Sequence, residues 1–488
     1  MTRRQLSALS VLCLAVFLVA VDGTVVSVAV PAITEQLQPS YNQVLWIGDI
    51  YSFVLAGLLI TMGNVGDRVG RKRLLLISSL AFGAASAAAA MAPTAGLLIV
   101  ARVVQGVAGA GLMPSTLALL RTVFTDDRQR MRAVGIWSAA GAAGAALGPT
   151  VAGVLLEHFY WGSVLLVNLP VVALIVAVGA WALPEARSGE RHPLDPLSVA
   201  YSTAGILGVV YGITELAHSG LGLPAGYAAL AAGAALLWVF LRRQRRLPVP
   251  LLDLTLFSQA RFSAAIVAQL VILFANVGAL FFLPIFLRQV GAFSALQSGL
   301  ATLPESVVSL FTAAFAARLI DRWSRRAVLL SGMAVGAAGL VLLGLTIPMS
   351  YAAMVIPLML LGFSFGSTVT VASDLVLSSA SADRVGAATG ISETSFELGT
   401  ALGIALTGSA VSVLYMLFSG GPANFTESVD RRAFTLGLGA NCVIVGVLLG
   451  LVAAGVSRAL RRSDRDNARA IHGPDLGVDS HRGKADNS

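Results

Sequence analysis

The chain has 488 residues, 56% of them apolar and 12% charged, with a mean hydropathy of +0.82. A soluble protein of this length carries about twice that charge and could not hide so much apolar surface, so a soluble globular enzyme is excluded. The formal net charge of +8 would suit nucleic acid if it gathered on one folded face. The basic residues instead lie between apolar runs, which points to a membrane and not to nucleic acid.

The first apolar run, from Leu6 to Val30, is too long for a signal-peptide core and lacks a small-x-small cleavage site, so it reads as a membrane span. Apolar runs set against polar breaks predict fourteen spans, at about residues 7–30, 44–64, 74–92, 97–120, 133–156, 160–183, 197–217, 224–241, 262–287, 296–317, 327–347, 352–376, 386–417 and 434–457. With the N-terminus in the cytoplasm, all but four of the 33 Lys and Arg fall in inner segments. The exceptions are Arg288, Arg431 and Arg432 outside and Arg102 within a span. This asymmetry places both termini in the cytoplasm. From Arg458 the chain turns polar, through Arg461-Arg462-Ser463-Asp464-Arg465, and is expected to be a disordered cytoplasmic tail.

An internal repeat turns the list of spans into an architecture. After span 2 the chain reads Asp67-Arg68-Val69-Gly70-Arg71-Lys72, and after span 10 Asp321-Arg322-Trp323-Ser324-Arg325-Arg326. Both could be ordinary basic inner loops, but the shared Asp-Arg order favours duplication. The expected organisation is an N-terminal six-helix bundle over 1–185, an inserted two-helix hairpin over 186–250, a C-terminal six-helix bundle over 251–457 and the tail over 458–488. Parallel halves of this kind hold a binding site between them near the bilayer midplane and rock around it.

Four motifs carry a family resemblance. Gly63-Asn64-Val65-Gly66-Asp67-Arg68-Val69-Gly70-Arg71-Lys72-Arg73 resembles motif A of the major facilitator superfamily, and Leu98 to Ala110, with Arg102, Gln105 and Gly106, resembles its motif B. Gly135, Gly148, Pro149 and Gly153 resemble the antiporter motif C, and Ala20-Val21-Asp22-Gly23-Thr24 resembles the helix 1 motif of the fourteen-helix drug:proton antiporters. Trp46 to Tyr51 with Glu393 and Glu397 resemble the Qac/Smv/Lfr-like multidrug group. The resemblance implies an all-α membrane protein of the major facilitator fold, two six-helix bundles plus two inserted helices. It also implies a bacterial cytoplasmic (inner) membrane location. The second copy of motif A departs from the first, with Trp323 and Ser324 in place of Val69 and Gly70.

Ionisable residues inside the spans are the candidates for chemistry. Asp22 lies about 20 Å into span 1. A carboxylate there costs about 2.5–3.5 kcal/mol to insert, so it is expected to face a watery cavity or bind a proton, or else to stay protonated in a helix–helix hydrogen bond. Arg102 does not deprotonate and must find a partner. The resemblance implies Asp22, as a switchable pair or a static strut. Glu393 and Glu397 share one face of span 13 and suit a proton or a cationic substrate, with a structural role open for either. Asp49 and Glu305 are further cavity acids by position, Asp49 with snorkelling as its alternative. Trp46 and Phe281 could stack on a cation, although such rings more often face lipid or a neighbouring helix. The switch candidates are Gly63, Asp67, Arg68, Gly70 and Arg71, as inner-loop charges and turns that latch one conformation, with Gly148 and Pro149 permitting close packing and a bend.

Cys13 and Cys442 sit in apolar runs at opposite ends and the five histidines are scattered, so neither a disulfide framework nor a metal site is expected. A phosphate-binding loop and a nucleophile triad are missing from the sequence as well, which argues against an enzyme and against a cofactor. The expected function is proton-gradient-driven antiport that exports lipophilic, cationic compounds, with protons and membrane lipids as the other partners and a monomer as the working unit. Export of an endogenous metabolite or antibiotic, and proton-coupled import on the same fold, are the alternatives.

Overall fold

The structure is a computed structural model that describes residues 2–39, 41–185, 195–219, 224–247, 250–252, 254–293, 295–381, 385–420 and 430–471. In chain order the helices are α1 (Arg3–Leu37), α2 (Tyr41–Val69), α3 (Arg71–Ala90), α4 (Ala95–Val123), α5 (Asp127–His158), α6 (Ser163–Leu166), α7 (Asn168–Ala182), α8 (Pro196–Ser219) and α9 (Pro224–Gln244). A 3-10 turn at Leu254–Ser258 leads into α10 (Ala260–Gln289), α11 (Ala295–Leu300), α12 (Leu303–Trp323), α13 (Arg325–Thr346), α14 (Tyr351–Ser379), α15 (Val385–Ser419) and α16 (Arg431–Ile471). Fourteen stretches among the described residues are long and apolar enough to cross a membrane. A helix satisfies its own backbone hydrogen bonds, as a segment in hydrocarbon must.

Two spans are broken where the sequence reading had single runs, and proline explains both. Pro170 has no N–H to return to Leu166, and Pro304 none to return to Leu300, so α6 and α11 end as short pieces before α7 and α12 begin.

Two expectations are corrected. Asp67 and Arg68 are not loop residues: α2 runs through Val69, and the turn into α3 is Gly70 alone, at φ 108°. A side chain rarely adopts that backbone, so the glycine makes the elbow. The second half has the same elbow at Ser324, φ 86° and ψ 152°, between α12 and α13. The C-terminal segment is not irregular from Arg458, because α16 continues to Ile471. Residues 472–488 of the expected tail lie outside the described residues, as do 186–194 of the hairpin's leading segment. Pro149 does not interrupt α5.

Packing repeats between the halves. Helix α1 lies on α5 as α10 lies on α15, α2 on α4 as α12 on α14, and α3 on α4 as α13 on α14. The halves meet along two seams, α2 with α15 and α5 with α12. Each seam closes on a glycine: Gly390 of α15 faces the Leu59 carbonyl of α2, and Gly135 of α5 faces the Ala313 carbonyl of α12. Leu59 and Ala313 are spaced in the sequence as Asp67 and Asp321 are, so the repeat seen in the motifs extends to the packing. Inserted α8 packs on α9 and lies against both α2 and α15.

Candidate functional site

A cavity of about 280 Å³ lies between the halves. Its walls come from α1 (Val16, Val19, Ala20, Gly23, Thr24), α2 (Tyr51, Ser52, Leu55), α4 (Met113), α5 (Trp137, Ser138, Gly141, Ala142, Ala145), α10 (Gln269), α12 (Ser309, Ala313), α14 (Phe365, Gly366, Val369, Ser373) and α15 (Glu393, Phe396, Glu397, Thr400). The lining is mostly apolar and aromatic, and its carboxyls are Glu393 and Glu397. Neither a lysine, an arginine nor a histidine is among these residues. One α-helical turn separates the two glutamates, so they share a face and project into the same space. Ser392, beside Glu393, donates to the Gln269 side chain at 2.8 Å and fixes this stretch of α15 to α10.

Asp22 is not in the cavity, contrary to the expectation of a water-facing carboxylate. It is fully buried inside the first half, among α1, α3, α4 and α7. Arg102 Nη1 donates to Asp22 Oδ2 at 2.5 Å, while Gln105 and Asn168 donate to Oδ1 at 3.2 and 2.7 Å. Gln105 and Asn168 also reach Ser86 Oγ, at 2.8 and 3.2 Å. A buried charge pair is tolerable when its remaining hydrogen-bonding positions are filled, and these neutral side chains fill those of the Asp22 carboxylate, while Arg102 Nε stays unpaired among the described residues. The expected Asp22–Arg102 pairing is present. Asn168 and Ser86 escaped sequence reasoning because each alone is an ordinary polar residue, and Gln105 was read only as a member of motif B. Gln105 three positions after Arg102 on one helix was the available signal.

The other candidates scatter. Glu305 is buried within the second half, accepting from Asn276 at 3.3 Å and Ser306 at 3.2 Å, one turn from cavity-lining Ser309. Asp49 is half-buried on α2 and does not line the cavity. Trp46 stacks on Tyr211 of the inserted α8, ring centroids 5.9 Å apart and planes 7° apart, and is not among the cavity-lining residues. Phe281, 46% exposed, leans on Phe282 away from the cavity. The rings that do line it are Tyr51, Trp137, Phe365 and Phe396.

The switch residues come together at the end of the bundle that holds the chain start. Asp67 accepts from the backbone N–H groups of Gly386 (3.1 Å) and Ala387 (3.2 Å) at the start of α15, and from Arg71 at 2.8 and 3.0 Å. Gly63 packs directly on the Gly386 backbone, leaving no room for a side chain. Anions at a helix N-terminus contribute about 0.3–1 kcal/mol, and up to about 2 when partly buried. Around them sits a set the sequence reading missed. Arg121 donates to the carbonyls of Leu377 (2.7 Å) and Ala380 at the end of α14. Fully buried Asp374 accepts from Arg130 of the first half (3.2 Å) and Arg325 of the second (2.8 Å). Thr389 donates to the Pro114 carbonyl at 3.2 Å. Gly148 of motif C, with Gly144 one turn before it, instead presses α5 against α1, near Thr24 and the Phe17 carbonyl. Further along α5, residues 145–147 and 149–150 are exposed. The cavity is thus closed toward the chain start.

These features have relatives among known proteins. Residues 12–404 match the model of the Major Facilitator Superfamily. The chain belongs to that superfamily. It is therefore a multi-pass membrane transporter and not an enzyme. Among curated major facilitator proteins it is 38% identical to the multidrug efflux pump LfrA of Mycolicibacterium smegmatis, over 93% of this chain and 96% of that one. It is 36% identical to the methyl viologen resistance protein SmvA of Salmonella typhimurium, over 89% and 88%. It is 32% identical to the tetracenomycin C resistance and export protein of Streptomyces glaucescens, over 80% and 73%. The human organic anion transporter MFSD10 (TETRAN) shares the fold at a TM-score of 0.64, with 16% identity over 92% of this chain and 100% of that one.

Proposed function

We propose that this transporter exports lipophilic cations from the cytoplasm in exchange for protons, and that substrate and proton compete for Glu393 and Glu397. The carrying observation is the cavity: two carboxyls one turn apart within apolar and aromatic walls, and no basic side chain among the lining residues. Two ionised carboxylates so close in low dielectric repel, and either a proton or a cation relieves that repulsion. Exchange at one site is antiport in its simplest form. The names of the relatives LfrA and SmvA point to efflux, and methyl viologen is by its chemistry an organic dication. The positive-inside asymmetry supports a cytoplasmic closed end, and the bacterial relatives support an inner-membrane location, so this state is read as facing outward. Asp67, Arg71 and Gly63 act as the latch of this state.

Asp22, one expected reading of which was proton binding, gives way here to the cavity glutamates, because it is already neutralised by Arg102 behind the cavity wall. Export of a self-made antibiotic remains a second reading, favoured by the tetracenomycin relative and by the largely apolar lining.

The test measures efflux of a monovalent cation, a divalent cation and a neutral drug from vesicles with an imposed pH gradient. Glu393→Gln and Glu397→Gln should each reduce divalent efflux most, by about tenfold, and neutral efflux least. The double variant should lose its pH dependence for all three. Unchanged pH-driven efflux in the double variant would remove these acids from the coupling site. A wild type that moves only the neutral compound would favour the antibiotic reading.

A further inference from the structure

The buried charge pair of the first half and the cavity lie side by side, and Tyr51 touches both. The Tyr51 ring covers the Arg102 guanidinium, 4.5 Å from carbon to ring centroid. The same residue lines the cavity with Glu393 and Glu397, and it is within electrostatic reach of both Asp22 and Glu397. Its place is closely fitted. Phe82 meets the ring edge-on at 6.3 Å, its hydroxyl donates to the Val19 carbonyl at 3.5 Å, and a side chain at Gly109 would come within 3.2 Å of that hydroxyl. Tyr51 is only 2% exposed.

Arg102 has an unmet donor. Its Nε is buried and donates to nothing among the described residues, while Nη1 serves Asp22 and Gln105. A buried cation with a spare N–H is drawn to any carboxylate it can reach. The carboxyls across the Tyr51 ring are those of the cavity. Around Tyr51 the charged and titratable groups are therefore Asp22 on α1, Arg102 on α4, and Glu393 and Glu397 on α15.

We infer that Tyr51 is an insulator that sets cation specificity: its ring pins the Arg102 charge to Asp22 and keeps it from neutralising Glu397. The inference rests on the reading of the cavity as a cation site. With the ring in place, Glu397 and Glu393 meet no fixed cation and remain available to a mobile one. With the ring gone, the guanidinium gains a route to Glu397 and competes with the substrate from inside the protein. A neutral ligand is indifferent to that competition. The volume of the ring matters for this role more than its hydroxyl or its π-face, which separates it from a residue that stacks on the substrate directly.

The experiment uses purified full-length protein in detergent and measures binding of tetraphenylphosphonium and of an uncharged lipophilic drug. Wild type is compared with Tyr51→Phe, Tyr51→Leu and Tyr51→Ala. Phe removes the hydroxyl, Leu keeps apolar volume without a ring face, and Ala leaves a hole. Phe and Leu are expected to keep the ratio of cation to neutral affinity within about threefold of wild type, whatever wall contact both ligands lose together. Ala is expected to lose about tenfold or more in cation affinity while neutral binding changes by less than about threefold. The inference is overturned if Leu loses cation binding as Ala does, since the ring then touches the substrate. It is also overturned if Ala binds the cation like wild type, or loses both ligands equally through misfolding or lost packing. If wild type itself binds the neutral drug and not the cation, it is the cation-site reading that fails.

Discussion

The Asp22–Arg102 pair shows what one buried charge demands of its neighbours. Three side chains donate to the carboxylate, and Tyr51 covers the guanidinium, all within a space closed to solvent. Removing one partner of a buried pair costs about 3–5 kcal/mol, whereas replacing both by neutral groups of similar size is often close to neutral. Asp22→Asn alone should therefore lower the unfolding temperature sharply, and Asp22→Asn with Arg102→Gln should recover most of the loss. Thermal unfolding of the purified variants checks this. A single and a double variant of equal stability would mean that the pair does not carry the fold. The sequence announced both charges, since an acid and an arginine inside apolar spans are conspicuous. It did not reveal the direction in which Asp22 points, because helical position gives depth in the membrane and says little about which neighbour a side chain meets. Trp46 and Phe281 were misplaced for the same reason. Glu393 and Glu397 were legible because two acids at a one-turn interval define a face.

At the scale of elements, the two half-repeats turn their corners with the same backbone and different residues. Gly70 takes φ 108° without strain, whereas Ser324 holds φ 86° and ψ 152°, a region nearly reserved for glycine and costing about 1–3 kcal/mol otherwise. The Ser324 hydroxyl recovers a part by accepting from Ala327 N at 3.3 Å, a cap whose exchange for glycine costs only a few tenths of a kcal/mol. Ser324→Gly is expected to stabilise the protein by about 1 kcal/mol, seen as a higher unfolding temperature, and a lower one would mean that the cap outweighs the strain. The inserted hairpin has its own brace, where Asp195 accepts from Arg243 at 2.6 and 3.1 Å. This guanidinium, with the Ser198 hydroxyl, holds the Asp195 carboxyl down to about 2. A lowered carboxyl stabilises above its unfolded value of 3.8 and loses that contribution as pH falls toward 2. Protection from hydrogen exchange at the start of α8, taken relative to the intrinsic rate at each pH, should therefore hold from pH 8 to 5 and fall only below about pH 4. A loss of protection between pH 7 and 5 would assign the brace to another group. Sequence alone placed these spans to within a few residues, since apolar length and charge breaks fix where a helix crosses. It called Asp67 a loop residue because a run of charges resembles a loop, when only Gly70 breaks the helix.

The whole molecule is a balance between two arrangements of its halves, and the structure shows what weights one of them. At the closed end Asp67 holds the start of α15, Arg121 holds the end of α14, and Asp374 lies between an arginine from each half. Each contact joins the halves in this state, and parting the α2/α15 seam breaks the first of them. Asp67→Asn keeps an acceptor but loses the charge that suits both the α15 N-terminus and Arg71. Asp374→Asn removes the buried anion between Arg130 and Arg325 and leaves them the more exposed Asp127 alone. Charge-assisted bonds of this kind contribute about 1–2 kcal/mol each, so either substitution should shift the ratio of the two states by about tenfold toward opening at this end. Spin labels at Val154 and Val413, exposed positions near the opposite end in different halves, report the shift as a shorter population in their distance distribution. Binding of a cation to the cavity should survive both substitutions, because the cavity acids lie deeper in the membrane than either latch. Turnover should fall, since a carrier held too long in one state completes fewer cycles. A variant whose distance distribution matches wild type while turnover falls would separate the latch from the balance and leave Asp67 or Asp374 a role in the passage between states. If both distributions and both turnover rates match wild type, the closed end is held by the glycine seams at Gly390 and Gly135 and by apolar packing, with the charges secondary to it.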